Sequence, residues 1–201
     1  MTKEFNHRQK ETIDASISLI ADRGIQNLTM KHISKVIGIS EPAIYRYFKS
    51  KFEIVMAVLD TFEDISENVL NSEEIKKLVP LNKIEYFLLD RYQRCEENPK
   101  LAKVMFSEEH FQEDEILSQK ILHIMSSHGH KIQEMISECQ KSGDIREDVS
   151  SLNVFRIIFG PMRLLIKQWG LSNYKFSLTE EGVKLWNSQK LLLGICPKVK
   201  N

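Results

Sequence analysis

Long apolar runs are missing from this 201-residue chain, and no stretch approaches the roughly 18 consecutive apolar residues that a membrane-spanning helix requires. The first ten residues, MTKEFNHRQK, carry charge and are not followed by the apolar core of a secretory signal peptide. We therefore expect a cytoplasmic protein with no membrane partner.

Cysteine is scarce, and its three copies, Cys95, Cys139 and Cys196, lie far apart in the chain. This spacing provides neither a disulfide framework nor the paired ligands of a structural metal site. We expect three reduced and mostly buried thiols.

Recognisable catalytic motifs are absent as well. The chain has no nucleophile elbow, no phosphate-cradling glycine loop and no His-Glu-x-x-His pattern. His123 and His130 share one face of a predicted helix, but His128 lies off that face and no Cys or carboxylate completes a metal site. We therefore expect a protein that is not an enzyme, with no catalytic residue, no metal and no cofactor.

Net charge is also lacking, because 28 Lys and Arg balance 28 Asp and Glu. The balance conceals an asymmetry: residues 1–51 hold nine basic and five acidic side chains, whereas residues 52–201 hold 19 basic and 23 acidic ones. A basic first quarter favours contact with a polyanion at that end of the chain, and the acidic remainder indicates a different task.

Apolar residues recur at helical spacing along nearly the whole chain, and no clean alternation of apolar and polar residues extends over six positions. The pattern predicts an all-α protein. Gly and Pro residues mark the ends of the helices, and the most plausible domain boundary falls near Ser50, where the charge changes sign. The predicted helices cover residues 7–23, 29–36, 40–48, 51–71, 80–97, 99–108, 114–142, 150–170 and 178–194.

Two short helices joined by a tight turn follow the first long helix, whose apolar face includes Ile13, Ile17 and Ile20. Thr29 is placed to cap a helix in which Ile33 and Val36 face inward. The turn Ile37-Gly38-Ile39 offers a glycine for a left-handed conformation. This arrangement predicts a three-helix unit of the helix-turn-helix type, which presents the start of its last helix to the DNA major groove.

The last helix of this unit begins in the stretch ISEPAIYRYF. Ser40 can act as its N-cap, and Pro42 lies in the first turn, where its missing N–H costs little. Helical spacing places Ile44 and Phe48 on an inward face, while Tyr45 and Arg46 point outward. The alternative is that Tyr45 and Tyr47 are both core aromatics and Arg46 is a solvated charge.

Tyr45, Arg46 and Lys51 are predicted phosphate contacts, and Thr29 and Ser40 can offer hydroxyl and N–H groups to phosphate. Glu41 could accept from a cytosine amino group, whereas Pro42 or Ala43 could pack on a thymine methyl. The full predicted DNA-binding set is Thr29, Lys31, Ser40, Glu41, Pro42, Ala43, Tyr45, Arg46 and Lys51.

The segment LTMKHISKVIGISEPAIYRYFKSK, with the helix before it, resembles the N-terminal domain of TetR/AcrR-family transcriptional regulators, whose motif ends in a Tyr-x-Tyr-Phe-x-x-Lys pattern. The resemblance covers about 50 residues, with departures at Ile37, where a small residue is common, and at Glu41, where a basic or small residue is frequent. It implies a helix-turn-helix DNA-binding domain over residues 1–50 and a larger helical domain for ligand binding and dimerisation over residues 51–201.

Residues 150–170 are apolar on more than one stripe, and the last helix has the same excess, so one face of each is expected to meet a partner. Gly160-Pro161 should kink the first of them. In the family the two C-terminal helices form a four-helix dimer interface, and the resemblance implies the same here; the alternative is a deep core helix in a monomer. The predicted interface residues are Phe155, Ile158, Met162, Leu165, Trp169, Trp186 and Leu192.

A pocket for a hydrophobic or amphipathic small molecule is the remaining prediction, with Arg91 or His128 pairing an acidic group. His128 occupies an inward position of its helix and could equally be a satisfied core histidine, and Arg91 could equally be a solvated side chain. Phe87, Phe106 and Phe159 complete the predicted lining.

The sequence therefore predicts a ligand-responsive homodimeric regulator, most simply a repressor that a small-molecule effector releases from a palindromic operator in double-stranded DNA. The resemblance implies that the effector swings the helix that begins near Ser50, which changes the distance between two DNA-reading heads. Two alternatives stay open: a small-molecule-binding protein or enzyme with a vestigial DNA-binding module, and a weakly specific structural DNA-binding protein.

Overall fold

The structure, a computed structural model, describes residues 4–194, and every regular element in that range is a helix. This confirms the predicted all-α class. Two short 3-10 turns, Ile25–Asn27 and Glu108–Phe111, accompany the α-helices. The helices are α1 His7–Arg23, α2 Met30–Ile37, α3 Glu41–Tyr45, α4 Lys51–Leu70, α5 Glu73–Lys76, α6 Pro80–Glu97, α7 Pro99–Met105, α8 Glu115–Lys141, α9 Ser151–Leu171 and α10 Leu178–Leu192.

The chain forms two compact units. The first unit contains the described residues up to Ser66 together with Lys100–Ile124, and the second contains Glu67–Pro99 and the described residues from Met125 onward. Helices α4 and α8 each contribute residues to both units. Compact packing does not locate a functional boundary, so the division at residues 50 and 51 stays a prediction.

The first three helices of the first unit follow the local signals in the sequence. Asn6 and Gln9 form a reciprocal capping box at the start of α1, and the predicted apolar face of that helix is buried. Gly38 ends α2 in the left-handed conformation, with φ near 71°. Thr29 caps α2 by accepting a hydrogen bond from the backbone N–H of His32 at 3.1 Å.

The inward position predicted for Val36 is wrong, because 56% of this side chain is exposed. The buried arc of α2 is centred on Met30, Ile33 and Ser34. At about 100° per residue, Val36 lies roughly 110° from the centre of that arc. The solvent-facing edge of the helix therefore begins at Val36.

The second unit is held together chiefly by α6, α9 and α10. Helix α9 runs unbroken through Pro161, which has no N–H to donate to the carbonyl of Ile157. The buried side chain of Gln189 on α10 provides that donor, because its Nε2 lies 2.7 Å from the Ile157 carbonyl and 3.0 Å from that of Ile158. A side chain from the neighbouring helix thus satisfies the group that proline leaves without its usual partner.

Burial raises the pKa of both described thiols, Cys95 and Cys139, to about 12, so each is a neutral thiol at physiological pH. Cys196 lies outside the described residues. Within residues 4–194 no helix is long and apolar enough to cross a membrane. No group of three or more His, Cys, Asp and Glu side chains in this range could hold a metal ion.

Candidate functional sites

Helix α3 is shorter than predicted and ends at Tyr45, although Tyr47 and Phe48 still donate their backbone N–H groups to the carbonyl of Ile44. The turn that follows α3 therefore keeps the predicted facing. Ile44 and Phe48 are buried, whereas Tyr45 is 50% exposed and Arg46 is also exposed. The alternative that made Tyr45 a core aromatic is wrong, because half of its surface faces solvent.

The remaining predicted DNA-binding residues lie around α2 and α3. Thr29, Lys31, Ser40 and Pro42 are exposed, and Glu41 and Ala43 are partly exposed. Ser40 is the N-cap residue of α3, as predicted, but its side chain makes no capping hydrogen bond. The structure thus presents these side chains near one another along the chain without assigning any of them a contact with DNA.

Lys51 differs from the prediction in its surroundings. Its side chain is partly buried, and its Nζ donates to the carbonyl of Ile25 at 2.8 Å. The first turn of α4 is fixed further by Ser50 Oγ, which accepts from the N–H of Glu53, and by Glu53 Oε2, which accepts from the N–H of Lys49 at 2.7 Å. The start of α4 is therefore capped locally, as the pattern Ser50-x-x-Glu53 could have indicated, and Lys51 joins it to the turn before α2.

Residues 100–124 pack in the same unit as the helix-turn-helix motif, an association that no pattern in the sequence predicts. Gln26 Nε2 donates to Glu113 Oε2 at 2.8 Å, and Lys100 Nζ lies 2.6 Å from Asp22. Both contacts join residues far apart in the chain. They tie α7 and the turn before α8 to the segment that precedes α2.

Lys120 of α8 makes a third set of contacts in the first unit, with Asp60 at 3.0 Å and with Glu63 of α4. Burial by itself would lower the pKa of Lys120, but the hydrogen bonds to Glu63 and Asp60 outweigh burial and raise it. These partly buried ion pairs hold the start of α8 against α4.

In the second unit the structure brings three of the five predicted ligand-binding residues together. The guanidinium carbon of Arg91 lies 5.1 Å from the ring centroid of Phe87. Phe87 and Phe159 make an edge-to-face contact at 6.0 Å, and Phe159 stacks on Phe155 at 4.8 Å. The resulting aromatic cluster (Phe87, Phe155 and Phe159) meets the guanidinium of Arg91 through the ring of Phe87.

Arg91 is not the solvated side chain that the sequence allowed, because only 4% of it is exposed. Burial lowers the pKa of Arg91, a direction that records the cost of removing a cation from water. The sequence pattern could place Arg91 beside the apolar face of α6 but could not show that the fold buries it.

His128 lies in the same unit and is buried, with its Nε2 3.7 Å from Glu67 Oε1. Both oxygens of Glu67 accept from Lys131, at 2.6 and 2.8 Å. Burial opposes ionisation of Glu67, but hydrogen bonds from Lys131 and Asn71 outweigh it and lower the pKa of that carboxyl. The fifth predicted ligand residue, Phe106, belongs to the first unit.

The predicted dimer interface needs correction. Ile158, Met162, Trp169 and Trp186 are buried within the second unit, so their side chains are not available to a partner. Phe155 and Leu165 are partly buried, and Leu192 is exposed. Helix α9 has apolar residues on more than one stripe, and the sequence could not show which stripe the chain's own core would take.

Three exposed apolar side chains of α9, Ile157, Leu164 and Leu171, are spaced seven residues apart, and a fourth, Leu152, lies off this spacing. Seven residues are two helical turns, so this outer stripe of α9 lies on a single face. Helix α10 exposes Leu191 and Leu192, and each has more than 70% of its surface exposed. The second unit therefore carries unburied apolar surface on both of its C-terminal helices.

Comparison with known proteins gives two family matches, which together cover residues 13–193. Residues 13–58 match the model described as bacterial regulatory proteins, tetR family, and residues 58–193 match that of the YsiA-like protein, C-terminal region. The Fatty acid metabolism regulator protein of Bacillus subtilis (strain 168) is 25% identical over 178 residues, which are 88% of this chain and 90% of that protein. The Nucleoid occlusion factor SlmA of Glaesserella parasuis serovar 5 (strain SH0165) is 26% identical over 120 residues, only 59% of each chain.

Two similar solved structures share the fold over nearly the whole chain. The fatty acid degradation regulator FadR from Bacillus halodurans superposes with a TM-score of 0.80 at 20% identity, over 95% of this chain and 97% of that one. The transcriptional regulator FadR from Bacillus subtilis, in complex with stearoyl-CoA, superposes with a TM-score of 0.76 at 23% identity, over 94% and 99%.

Proposed function

Since the chain belongs to the TetR family of bacterial regulatory proteins, it is a DNA-binding transcriptional regulator, and we propose that it acts as a homodimeric repressor that an amphipathic effector releases from a palindromic operator. The family assignment confirms the resemblance that the motif ending at Lys51 indicated. Homologues that are transcriptional regulators also favour the prediction that the chain is not an enzyme.

The observation that carries the DNA-binding proposal is the outward pair Tyr45 and Arg46, held by the buried anchors Ile44 and Phe48. A hydroxyl and a guanidinium on adjacent residues of a rigidly packed turn suit two phosphate oxygens of one DNA strand. Thr29, Lys31 and Ser40 supply further polar groups nearby. Lys51 uses one of its three ammonium protons on Ile25, which leaves two for phosphate.

Base recognition is assigned to the exposed side of the first turn of α3. Glu41 accepts from cytosine N4, and Ala43 or Pro42 packs on a thymine methyl group. The same helix therefore separates two tasks: its first residues distinguish sequences, and Tyr45 with Arg46 fixes the register.

We expect Arg46→Ala and Tyr45→Phe to weaken binding about tenfold each, on the chain's own upstream DNA and on scrambled DNA alike, because phosphate contacts carry no sequence information. Arg46→Ala should also reduce the slope of log affinity against log salt by about one. Glu41→Gln should instead change the ratio of the affinities for upstream and scrambled DNA. Fluorescence anisotropy across a salt series measures all three.

The matched control is Lys103→Ala, which removes an exposed cation of α7 in the same unit but outside the motif. It should leave the salt slope nearly unchanged. Binding to scrambled DNA that Arg46→Ala does not weaken would contradict the phosphate role.

The effector proposal depends on Arg91 and the aromatic cluster of the second unit. The guanidinium of Arg91 is a buried positive charge that lies against the ring of Phe87. An amphipathic anion could satisfy both features, with its charged head at Arg91 and its apolar part against Phe87 and Phe159. Because the FadR of Bacillus subtilis was solved with stearoyl-CoA, we assign a long-chain acyl anion or acyl thioester as the effector class.

Stearoyl-CoA should weaken operator binding by this protein by a factor of about 5–150, the usual range of coupling between two sites. Arg91→Met should reduce that response to less than twofold, because the variant keeps an apolar side chain of similar length without the charge. The variant should stay helical by circular dichroism and keep its own operator affinity, so that a lost response reports effector binding and not unfolding.

Arg94→Met on the same helix is the control, because Arg94 is exposed and pairs with Asp90 at 2.7 Å. Its response to stearoyl-CoA should match that of the unmodified protein. An unchanged response in Arg91→Met would refute the anchor role, whereas an unmodified protein that ignores stearoyl-CoA would refute the effector class.

Dimerisation is assigned to the outer stripe of α9 together with Leu191 and Leu192 of α10. These side chains are apolar, exposed and arranged on helices that two copies could pair into a four-helix contact. Two DNA-binding motifs then read two half-sites about one turn of DNA apart, which is why the operator should be palindromic.

A further inference from the structure

A solvent-open cavity of about 390 Å³ is lined entirely by residues of the first unit. Its walls come from the 3-10 turn before α2, from the start of α4, and from the segment that leads into α8. The lining residues are Ile25, Gln26, Ser50, Lys51, Phe52, Val55, Phe111, Glu113, Asp114 and Leu117. None of the functions assigned above uses this cavity.

The cavity combines an apolar floor with an oxygen-rich rim. Val55, Phe111 and Leu117 are buried apolar side chains. On the rim, Glu113 Oε2 accepts from Gln26, and Asp114 Oδ1 accepts from the N–H groups of Ile116 and Leu117.

These bonds leave further acceptor capacity on both carboxylates, because an ionised carboxylate offers about four lone-pair sites. Lys51, the cation among the lining residues, already donates to the Ile25 carbonyl. The lining thus contains two carboxylates and one lysine, and this excess of negative charge favours a positively charged ligand.

We infer that this cavity binds a small amine with a compact aromatic or branched apolar body. The ammonium group would donate to Glu113 and Asp114, and the apolar body would cover Val55, Phe111 and Leu117. A volume near the lower end of ligand pockets suits a molecule of this size. The site is thus chemically distinct from the one around Arg91, which suits an anion.

Occupation of the cavity acts on the DNA-binding motif without passing through the second unit. Its walls include the turn before α2 and the first turn of α4, which Lys51 joins to each other. A ligand that binds one arrangement of these segments better than another changes operator affinity, and DNA changes ligand affinity by the same factor. This consequence, unlike binding itself, rests on the proposed DNA-binding function.

The test uses the full chain with labelled Ile, Leu and Val methyl groups and 2-phenylethylamine as the probe. Methyl resonances of Ile25, Val55 and Leu117 should shift on titration, with a Kd of about 1 mM for a fragment of this size. Phenylacetate, similar in size but opposite in charge, should not shift them at the same concentration. No shift with the amine, or equal shifts with both compounds, would overturn the inference.

Charge at the rim is tested with the double substitution Glu113→Gln and Asp114→Asn, which keeps the size of both side chains and the capacity of residue 114 to cap α8. The variant should stay helical and bind the amine at least about tenfold more weakly. Glu109→Gln, an exposed acid that does not line the cavity, should bind as the unmodified protein does. Unchanged affinity in the double variant would overturn the assignment.

Coupling is measured by operator titration with and without the amine, and it should amount to a factor of at least about five in either direction. The same factor should persist in Arg91→Met, which separates this site from the proposed effector site. Methyl shifts without any change in operator affinity would contradict the coupling but not the binding site. A protein that binds no DNA would contradict only the proposed function.

Discussion

Replacing Gly182 by alanine is expected to destabilise the protein by about 2 kcal/mol and to lower its melting temperature by about 4–8 °C. A Cβ at position 182 would lie 2.3 Å from Cδ2 and 2.4 Å from Cε2 of Tyr92. Tyr92 is completely buried, so its ring cannot move aside without disturbing the packing of α6 against α10. Thermal unfolding at fixed protein concentration measures the change.

Gly170→Ala is the matched control, because a Cβ there meets no atom within 4 Å and alanine is the better helix former. It should leave the melting temperature unchanged or slightly higher. Combining Gly182→Ala with Tyr92→Leu should cost less than the sum of the two single changes, because the smaller side chain frees the space. A Gly182→Ala protein as stable as the unmodified one would show that α6 and α10 pack less closely than the structure indicates.

Leu164→Asp is expected to convert the protein from a dimer to a monomer and to weaken operator binding by a factor of about 10²–10⁴. Leu164 lies at the centre of the outer stripe of α9 and is 58% exposed, so the fold of one chain does not depend on it. In a symmetric contact the substitution brings two carboxylates into one apolar interface. Light scattering coupled to size-exclusion chromatography gives the mass, and anisotropy gives the affinity.

Leu122→Asp provides the comparison, because Leu122 is an equally exposed leucine on α8 in the first unit. Its mass and operator affinity should match those of the unmodified protein. A Leu164→Asp variant that remains dimeric would exclude the outer stripe of α9 as the interface, and an unmodified protein that is monomeric on its operator would reject the homodimer itself.

The DNA-binding motif could be predicted closely because its signals are local. A capping threonine, a glycine in the left-handed conformation and a proline in the first turn of α3 each determine the backbone within a few residues. The outward direction of Tyr45 follows from helical spacing once Ile44 is buried. The inward position predicted for Val36 is wrong because the sequence of a single helical turn does not show where the buried arc of the helix ends.

The packing of the second unit is harder to predict from the sequence, because its contacts join residues that are distant in the chain. Ile158 and Ile157 are adjacent and equally apolar, yet the first is buried and the second faces solvent. Only the packing of α6 and α10 against α9 decides between them. Burial of Arg91 also depends on tertiary packing. The same sequence pattern is compatible with a cation that is buried and with one that is solvated.

The pairing of residues 100–124 with the DNA-binding motif could not be foreseen either. Gln26 with Glu113 and Asp22 with Lys100 are polar pairs more than 70 positions apart, and each side chain alone resembles an ordinary surface residue. A local pattern carries no information about such a partner. The cavity in the first unit is formed by this packing, so it could not be predicted from the sequence either.

The hydrogen bond from Gln189 to the carbonyl of Ile157 also constrains how this protein can evolve. While position 161 is proline, loss of the glutamine amide leaves a partly buried carbonyl without its donor, and selection should remove such variants. Once position 161 has acquired an N–H, the helix satisfies that carbonyl itself and position 189 becomes free to drift. The two positions should therefore change in a fixed historical order, with the proline replaced first.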